Sequence, residues 1–465
     1  MQLGDILDDV SIDVATSSLE ITRVENDSRD CTPGTLFFAM PGTAQHGARF
    51  ARDAVARGAS CVVADDDLKL EVPVVVVPTS QLRALLAHAS ATLTGHPETK
   101  AKLVGVTGTN GKTSVTSIVA SLGRALSWNT ASIGTLTNER TTPAAPELFR
   151  TLAAIVANFD PATNDALIAL EVSSHALDQH RVDGLRFCVA AFTNLSHDHL
   201  DYHGTMEEYF ETKASLFTNE YAKRAVIWTD DPYGERLAEM TDLPVTRVSR
   251  ADAVDVGTSL LGSTFFWRGH LVNSPLVGGY NVDNALLAMA IVSTLGADDA
   301  AVAASMGDVV SVPGRFEMLY GRDVTVIVDY AHTPEGLQRL LGDVRSLRSE
   351  GRIITVFGAG GDRDRSKRSE MGRVVSSASD LTVLTSDNPR SEAPDAIIDA
   401  VATGFAPGAQ VVRESDRRRA ITLALESASA GDVVVLAGKG HESTQTVGDL
   451  VIPFDDRVVA KELLK

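Results

Sequence analysis

The chain of 465 residues contains little cysteine and no long apolar run. Its three cysteines, Cys31, Cys61 and Cys188, are odd in number and far apart, which argues against a disulfide framework and against a zinc cluster. The chain has no stretch of about 18 apolar residues, so we expect no membrane span. The amino terminus lacks the basic start and the apolar stretch of a signal peptide. We therefore expect a protein of the reducing cytoplasm.

Lysine is scarce as well, and the 61 acidic residues outnumber the 42 lysines and arginines. The formal net charge is −19, and only ten residues are lysine. Binding to nucleic acid or to an anionic membrane needs a basic surface, so neither is expected as a partner. Small anionic ligands held in local basic pockets remain compatible with this charge. Four of the lysines lie in the motifs described below, namely Lys112, Lys213, Lys367 and Lys439.

The length and the hydrophobic content of 44% are typical of several globular domains. Short apolar runs alternate with helix-like stretches, which predicts an α/β fold. Proline and glycine punctuate the pattern near residues 95–99 and 313–314. We expect three domains, at residues 1–98, 99–313 and 314–465, with strand–helix alternation continuing through the later part of the second.

The third unit holds four apolar runs rich in β-branched residues: Val324–Val328, Ile353–Phe357, Leu381–Leu384 and Val433–Leu436. Such runs, separated by helical segments, predict a parallel sheet covered on both faces. A polar loop follows each run: DYAHTPEG, GAGGDRDRSKR, SDNPRSE and GKGHE. Ligands in open α/β sheets bind beyond the carboxyl ends of the strands, so all four loops are expected to face one cleft.

A glycine-rich turn, GVTGTNGKT, covers residues 105–113 between an apolar strand and a helical pattern. Val106 occupies the first glycine position of the strict Walker pattern, but Gly111, Lys112 and Thr113 remain. Backbone N–H groups in such a turn approach phosphate oxygens, the lysine neutralises them, and the threonine hydroxyl suits Mg²⁺. The alternative is a strand–helix turn without a ligand. A phosphate loop alone fits a kinase, a GTPase or a ligase.

Two further segments carry groups that suit a magnesium site. An apolar run ends at Glu171, and a later run leads into TNLSHDHLDYHGT, which contains His197, Asp198, His199, Asp201 and His203. Carboxylate oxygens and an imidazole could bind Mg²⁺ there. The alternative is a polar loop of solvated and capping residues.

The segment after this loop predicts a helix with one unusual lysine. Its apolar stripe consists of Met206, Tyr209, Phe210, Leu216 and Phe217. Lys213 lies on that stripe, where a buried ammonium is costly. Either the side chain reaches solvent by extending its stem, or the lysine carries CO₂ as a carbamate, which is an anionic oxygen ligand.

The motifs together resemble the Mur ligases, and in particular their diaminopimelate-adding branch. The matching strings are GVTGTNGKT, ALEVSSHAL, FTNLSHDHLDYHGTMEEYFETKASLF, VPGRFE, VDYAHTPEGL, GGDRDRSKR, TSDNPRSE and GKGHE, with DSRDCTPGTLFFAMPG near the amino terminus. The resemblance implies three α/β domains: one for the UDP end of the substrate, a central P-loop ATPase-like domain, and a carboxy-terminal Rossmann-like domain. It also implies a monomer.

The implied reaction uses ATP to phosphorylate the γ-carboxylate of UDP-N-acetylmuramoyl-L-alanyl-D-glutamate, and an amine of meso-diaminopimelate then displaces the phosphate. By resemblance, the catalytic residues are Lys112, Glu171, His199 and Lys213. Mg²⁺ would be held by Thr113, Glu171, His199 and carbamylated Lys213. The implied nucleotide contacts are Gly108, Thr109, Asn110, Gly111, Lys112, Thr113, Ser114, Asn284, Arg315 and Asp329.

The resemblance also implies two sets of substrate contacts. The UDP-muramoyl dipeptide would be held by Ser28, Thr141, Thr142, Ser173 and Arg181. The amino acid would be held by Arg363, Asp387, Asn388, Arg390, Gly438 and Glu442. A guanidinium suits the distal carboxylate of diaminopimelate and Glu442 suits its ammonium. The chain departs from the usual pattern at His46, where Asp is usual, and at His197, Ala359 and Ser366.

Three alternatives stay open at this point. The first is the same reaction with lysine, ornithine or another diamino acid, although Arg390 would then face an amine. The second is a folylpolyglutamate-type ligase, which shares the phosphate loop. The third is a binding homologue that has lost turnover, against which the intact Lys112, Glu171, His199 and Lys213 argue.

Overall fold

The computed structural model describes residues 1–42, 45–138, 140–163, 165–321, 323–347 and 350–465. Three α/β units follow one another along the chain, each built on its own sheet, as the sequence predicts. The boundaries expected at residues 98 and 313 stay predictions. Among the described residues, no helix combines the length and the apolar character needed to cross a membrane.

The first unit has a four-stranded parallel sheet in the order β1-β2-β3-β4. The strands are β1 (Arg23–Glu25), β2 (Thr35–Phe38), β3 (Ala59–Ala64) and β4 (Val74–Val76). The helices are α1 (Leu3–Ile6), α2 (Val14–Ser17), α3 (Ala51–Ala56) and α4 (Thr79–Leu93). Both faces of the sheet are covered, because alternate residues of β3 belong to different apolar clusters: Cys61 and Val63 to one, Val62 and Ala64 to the other.

The central unit has a six-stranded parallel sheet in the order β10-β9-β8-β5-β7-β6. Its strands are β5 (Lys102–Thr107), β6 (Asn129–Ile133), β7 (Ala166–Glu171), β8 (Val189–Phe192), β9 (Ala225–Trp228) and β10 (Val245–Val248). Its helices are α5 (Lys112–Ala125), α6 (Ala145–Ala157), α7 (Ser174–Asp178), α8 (Leu200–His203), α9 (Met206–Ala214), α10 (Pro232–Met240), α11 (Gly279–Thr294) and α12 (Asp299–Ser305). Leu167 and Ala169 of β7 pack on one face of this sheet, and Ile168 and Leu170 pack on the other.

The strand–helix alternation expected in the later part of this unit is confirmed for the strand predicted at residues 225–229 and the helix predicted at residues 284–295, but it is wrong between residues 253 and 274. An antiparallel meander lies there, formed by β11 (Ala253–Ser259), β12 (Gly262–Trp267) and β13 (His270–Ser274). Arg268 and Gly269 join β12 to β13 with positive φ angles of 47° and 83°. A two-residue turn of this kind matches the twist of paired strands, so the chain reverses without a helix.

The third unit has a six-stranded sheet in the order β14-β15-β19-β16-β17-β18, parallel except for β14. Its strands are β14 (Glu317–Gly321), β15 (Val324–Asp329), β16 (Ile353–Phe357), β17 (Leu381–Leu384), β18 (Val411–Arg413) and β19 (Val433–Ala437), and β20 (Thr444–Val447) and β21 (Leu450–Pro453) form a hairpin. Its helices are α13 (Pro334–Leu347), α14 (Lys367–Ala378), α15 (Pro394–Ala402), α16 (Arg417–Ser427) and α17 (Asp456–Leu463). The four predicted strands are confirmed, with β15 and β19 each one residue longer.

The connection into the third unit passes very close to the loop after β19. Gly314 has a φ of 65°, and a Cβ atom built on it would lie 2.2 Å from the carbonyl carbon of Gly440. A Cβ on Gly440 would in turn lie 2.7 Å from the Gly314 oxygen. Two glycines are therefore required for this backbone contact.

Candidate active site

A cavity of about 1210 Å³ lies between the central and the third unit. All four polar loops of the third unit line it, through residues such as Tyr330, Arg363, Asn388 and Glu442, so the expected convergence on one cleft is confirmed. Loops after β5, β7 and β8 form the opposite wall. Every predicted site residue lines the cavity except Gly108, Lys213 and Ser28.

The phosphate loop is held in shape by the loop after β8. Thr109 N donates to the Asn194 carbonyl oxygen at 2.8 Å, and Asn110 N donates to Asn194 Oδ1 at 3.0 Å. Gly111 has a φ of 88° and lies immediately before α5. The N-terminal turn of α5 therefore opens toward the cavity, an arrangement that favours anions.

The side chain of Lys112 folds back onto the phosphate loop. Its Nζ donates to the carbonyl oxygens of Gly108 and Thr109, both at 2.9 Å. Burial lowers the pKa of Lys112, although Glu171 and Asp198 favour the charged form. The ammonium lies where it can neutralise phosphate oxygens bound by the loop.

Glu171 ends β7 below the loop and is 1% exposed. Thr113 Oγ1 donates to its Oε2 at 3.0 Å, and Thr135 N donates to its Oε1 at 2.9 Å. Gly134 is needed beside it, because a Cβ there would lie 2.1 Å from Glu171 Oε1. A hydroxyl and a carboxylate held this close are hard oxygen donors of the kind that Mg²⁺ prefers.

His199 and Asp198 lie on the loop that leads to α8. Burial and the neighbouring His175, Lys112 and Lys213 lower the pKa of His199 to about 3, although Asp198 opposes this. The imidazole is therefore neutral at physiological pH, with a lone pair available for a cation. Among the described residues, no group of three or more His, Cys, Asp and Glu side chains is arranged to hold a metal ion. A magnesium site built on Glu171 and His199 thus needs oxygen donors of another kind.

Lys213 lies behind the phosphate loop and is 1% exposed. It is carried by α9, which begins with a capping box between Thr205 and Glu208. Its Nζ donates to the Gly108 oxygen at 2.9 Å and lies 4.7 Å from the centre of the Tyr209 ring. Because the side chain is buried, the alternative in which it extends to solvent is wrong. Burial and the nearby Lys112 hold the pKa of Lys213 well below its usual value.

The predicted nucleotide contacts lie on both sides of the cavity. Arg315 Nη2 donates to Thr113 Oγ1 at 3.3 Å across the two units, and its guanidinium stacks on Tyr330 at 4.1 Å. Asn284 lies against the loop, because a Cβ on Gly111 would be 2.6 Å from its Oδ1. Asp329 Oδ2 accepts hydrogen bonds at 2.8 Å from the Tyr280 hydroxyl and from Phe316 N.

The residues predicted for the muramoyl dipeptide are only partly together. Thr142 Oγ1 donates to the Glu171 carbonyl oxygen at 2.8 Å, Arg181 Nη1 donates to the Thr142 oxygen at 2.8 Å, and Thr141 and Ser173 also line the cavity. Ser28 lies in the first unit outside the cavity lining, where its hydroxyl donates to Asp53 Oδ2 at 2.9 Å. Its role stays a prediction.

The residues predicted for the amino acid lie in the third unit around the carboxyl ends of β16, β17 and β19. Arg390 has a φ of 51°, an uncommon conformation for a residue other than glycine, and its Nη1 donates to the Gly361 oxygen at 2.6 Å. Asn388 Nδ2 donates to Glu442 Oε2 at 2.9 Å. Arg363, Asp387 and Gly438 complete this side of the cavity.

Sequence reasoning missed several residues of the site. Asn194 shapes the phosphate loop, and Tyr330 stacks on Arg315. Both lie in motifs of the resemblance, but no role was predicted for them. Lys367 donates to Asp198 Oδ1 at 2.9 Å across the two units. The sequence signal for Lys367 was that it and Lys439, the two motif lysines without a predicted role, lie in loops that were expected to face the cleft.

Three family models match the chain, one for each unit. "Mur ligase family, catalytic domain" matches residues 20–104, "Mur ligase middle domain" matches residues 106–292, and "Mur ligase, glutamate ligase domain" matches residues 314–440.

This chain belongs to the Mur ligase family. As a Mur ligase it is an ATP-dependent peptide ligase. The UDP-N-acetylmuramoyl-L-alanyl-D-glutamate–2,6-diaminopimelate ligase of Gloeobacter violaceus is 42% identical to it over 486 residues, covering 100% of this chain and 98% of the relative.

Solved structures agree with this Mur ligase fold. One described as UDP-N-acetylmuramoyl-L-alanyl-D-glutamate–2,6-diaminopimelate ligase is 31% identical, with a TM-score of 0.68 and coverage of 100% of this chain and 98% of that one. Folylpolyglutamate synthase of Mycobacterium tuberculosis, complexed with ADP, is 22% identical with a TM-score of 0.63, covering 77% of this chain and 92% of that one. At that identity the second likeness shows a shared fold alone.

Proposed function

We propose that this Mur ligase joins meso-diaminopimelate to the D-glutamyl γ-carboxylate of UDP-N-acetylmuramoyl-L-alanyl-D-glutamate, with ATP, in the synthesis of peptidoglycan precursors. The observation that carries the proposal is one cavity with a phosphate loop on one wall and, on the other, a pocket that contains both a guanidinium, Arg390, and a carboxylate, Glu442. The relatives named for this reaction match the chain over nearly its whole length.

In the proposed reaction the central unit binds ATP through residues 108–114. Lys112 neutralises charge on the transferred phosphoryl group, which reduces repulsion between the nucleotide and the substrate carboxylate. Arg315 contacts Thr113 from the third unit and so joins the nucleotide site when the two units are together. The γ-carboxylate takes the γ-phosphoryl group of ATP and releases ADP, which gives an acyl phosphate. The amine of diaminopimelate then displaces phosphate and loses a proton, which gives the amide.

Thr113, Glu171 and His199 are proposed to hold Mg²⁺, and their oxygen and imidazole donors fit that ion. Bound magnesium would neutralise the negative charge of the phosphates and of the carboxylate. Glu171 is fixed by hydrogen bonds from Thr113 and Thr135, and Asp198 lies 3.5 Å from His199 Nε2.

We also propose that Lys213 carries CO₂ as a carbamate. Only a neutral amine forms the N–C bond to CO₂, with release of a proton, and burial beside Lys112 favours the neutral form of Lys213. A carbamate would turn the repulsion between Lys112 and Lys213 into attraction, and it would provide anionic oxygen close to the phosphate loop.

The choice of amino acid rests on the third unit. Arg390 can bind the distal carboxylate of diaminopimelate through two hydrogen bonds, and Glu442 can bind its ammonium. Lysine or ornithine has no carboxylate at that end and would leave the guanidinium unpaired, at a cost in affinity.

The experiment is an assay of phosphate release with purified protein, ATP, UDP-muramoyl dipeptide and a panel of diamino acids. Release only with diaminopimelate is the expected result. Release with lysine or ornithine instead would change the assigned amino acid. Release with folate and glutamate, and none with the muramoyl substrate, would assign the protein to the folylpolyglutamate group.

The compartment and the assembly state belong to the same proposal. Cys31, Cys61 and Cys188 are free thiols, which supports a reducing cytoplasm, where ATP is also available. A monomer is expected from the resemblance, and sedimentation of the purified protein would test it.

A further inference from the structure

Lys439 is a fully buried lysine behind the amino-acid side of the cavity, with 0% of its surface exposed. It lies in the loop after β19, between Gly438 and Gly440. It does not line the cavity itself. A charge buried this deeply needs partners that satisfy it, because an unpaired ammonium in such a place is costly.

Two hydrogen-bond acceptors and one further carboxylate oxygen, from two loops, surround its ammonium. Glu442 Oε2 lies 2.9 Å from Nζ, Asn388 Oδ1 lies 3.4 Å away, and Asp387 Oδ1 lies 3.6 Å away. Asp387 and Asn388 follow β17, whereas Glu442 follows β19. One lysine therefore ties together the ends of two strands that do not pair with each other.

These contacts fix the direction of the Asn388 amide. Its Oδ1 accepts from Thr446 N at 2.9 Å and from Lys439, so its Nδ2 faces Glu442 Oε2 at 2.9 Å. Glu442 Oε2 thus receives two donors from inside the protein. Within the described ranges, Glu442 Oε1 has no hydrogen-bond partner, and the side chain is 31% exposed. Oε1 is the oxygen left for a ligand in the cavity.

The same lysine sets the charge of this wall. Asp387 and Glu442 contribute two carboxylates, and Lys439 cancels one of them. Burial raises the pKa of Asp387 while Lys439 opposes that shift, and Lys439 with Asn388 holds the pKa of Glu442 below its usual value despite burial. A single net negative charge beside Arg390 and Arg363 suits a zwitterionic amino-acid end better than a bare alkylammonium.

We propose that Lys439 is a positioning and specificity-determining residue, which turns Glu442 Oε1 toward the cavity and limits the wall to one negative charge, so that the pocket accepts the zwitterionic end of the amino acid. This inference deepens the proposed function and rests on it. Lys439 acts through Glu442 and Asn388 and does not touch the substrate.

The test compares the wild type with Lys439→Met under steady-state conditions. We expect the KM for diaminopimelate to rise about tenfold or more, because one charged hydrogen-bond donor and its orientation are lost. The KM for ATP and the kcat at saturating diaminopimelate are expected to stay within about threefold. Lys461→Met, which removes an exposed lysine of α17 in the same unit, is the matched control and should leave all three constants unchanged.

A second variant guards against misfolding, since Lys439→Met leaves two carboxylates facing each other. Asp387→Asn with Lys439→Met keeps one net negative charge, and its diaminopimelate KM is compared with that of Asp387→Asn alone. A further rise in the double variant supports the proposal. An unchanged diaminopimelate KM in both comparisons, or a parallel rise in the KM for ATP, overturns it.

Failure of this inference is distinguishable from failure of the proposed function. Wild-type protein that releases no phosphate with any diamino acid contradicts the function. Active wild type together with an unaffected Lys439→Met variant contradicts only the role of Lys439.

Discussion

Two lysines share one carbonyl at the back of the phosphate loop. Lys112 Nζ and Lys213 Nζ each lie 2.9 Å from the Gly108 oxygen. Two ammonium groups this close repel each other, and burial strengthens the repulsion because less water screens it. The loss of the proton from Lys213 relieves this cost, which gives the carbamate proposal its physical basis.

The Lys213→Ala variant tests that proposal. We expect kcat to fall about 100-fold or more, because an anionic donor beside the phosphate loop is removed. Added bicarbonate or a short carboxylate should restore part of the activity by occupying the space left by the side chain. Lys223→Ala, at an exposed lysine of the same unit, serves as the control. Near-normal turnover of Lys213→Ala without additive would refute the proposal.

Arg390→Ala addresses the amino-acid end of the site. The KM for diaminopimelate is expected to rise about tenfold to a hundredfold through loss of a charged, two-fold hydrogen bond, with little change in the KM for ATP. Arg413→Ala removes an exposed arginine from β18 of the same unit and is the control. Equal losses for both substrates would indicate misfolding instead of a lost contact.

At the scale of elements, the loops beyond the strands carry the function, and their convergence followed from the sequence. A parallel sheet places the carboxyl ends of its strands at one edge, so four apolar runs with polar loops were sufficient to predict the cleft. The meander at residues 253–274 could not be predicted in this way, because its hairpin between β12 and β13 depends on the positive φ angles of Arg268 and Gly269. Nor could the burial of Lys439 be predicted, because it depends on the approach of two separate loops.

Glu392 ties together two of these loops and makes their stability depend on pH. Its carboxylate accepts from Arg368 Nη2 at 2.8 Å and from Asp362 N at 2.8 Å. The Arg368 hydrogen bonds lower the pKa of Glu392 to about 2, from an ordinary value near 4.5. A depressed folded-state pKa contributes stability above pH 4.5 that is lost as the pH falls toward 2.

We therefore expect Glu392→Gln to lower the melting temperature at pH 6, with a smaller difference from the wild type at each step below pH 4.5. Thermal unfolding monitored from pH 6 to pH 3 would measure this. Glu370→Gln, at an exposed carboxylate of α14 that also pairs with arginine, is the comparison. A difference between wild type and Glu392→Gln that stays constant over this range would contradict the assignment.

At the scale of the whole molecule, a small set of polar contacts holds the third unit against the central one. Asp198 Oδ1 accepts from Lys367 at 2.9 Å, and both side chains are less than 10% exposed. His197 Nε2 lies 2.9 Å from Asp364 Oδ2 and 3.3 Å from Ser366 Oγ. His197 and Ser366, two of the positions at which the sequence is expected to depart from the usual pattern, lie next to each other here. Contacts between residues so far apart in sequence could not be predicted from a single chain.

Lys367→Met should loosen this closed arrangement, because it leaves the buried Asp198 without the ammonium that lies 2.9 Å from its Oδ1. Small-angle scattering is expected to show a larger radius of gyration for the variant without ligands, and a smaller difference once ATP and the muramoyl substrate are added. Lys461→Met, whose lysine contacts Glu317 within the third unit, is the control. Identical scattering curves for Lys367→Met and the wild type would show that the pair does not hold the units together.

The touching backbones of Gly314 and Gly440 limit how such a ligase can be recombined. A methyl group at either position would force the incoming segment away from the loop that carries Lys439 and Glu442. A chimera that takes its third unit from a related ligase would therefore dock correctly only if the residues corresponding to Gly314 and Gly440 both came from the same parent. The natural crossover point lies before residue 314, not after it.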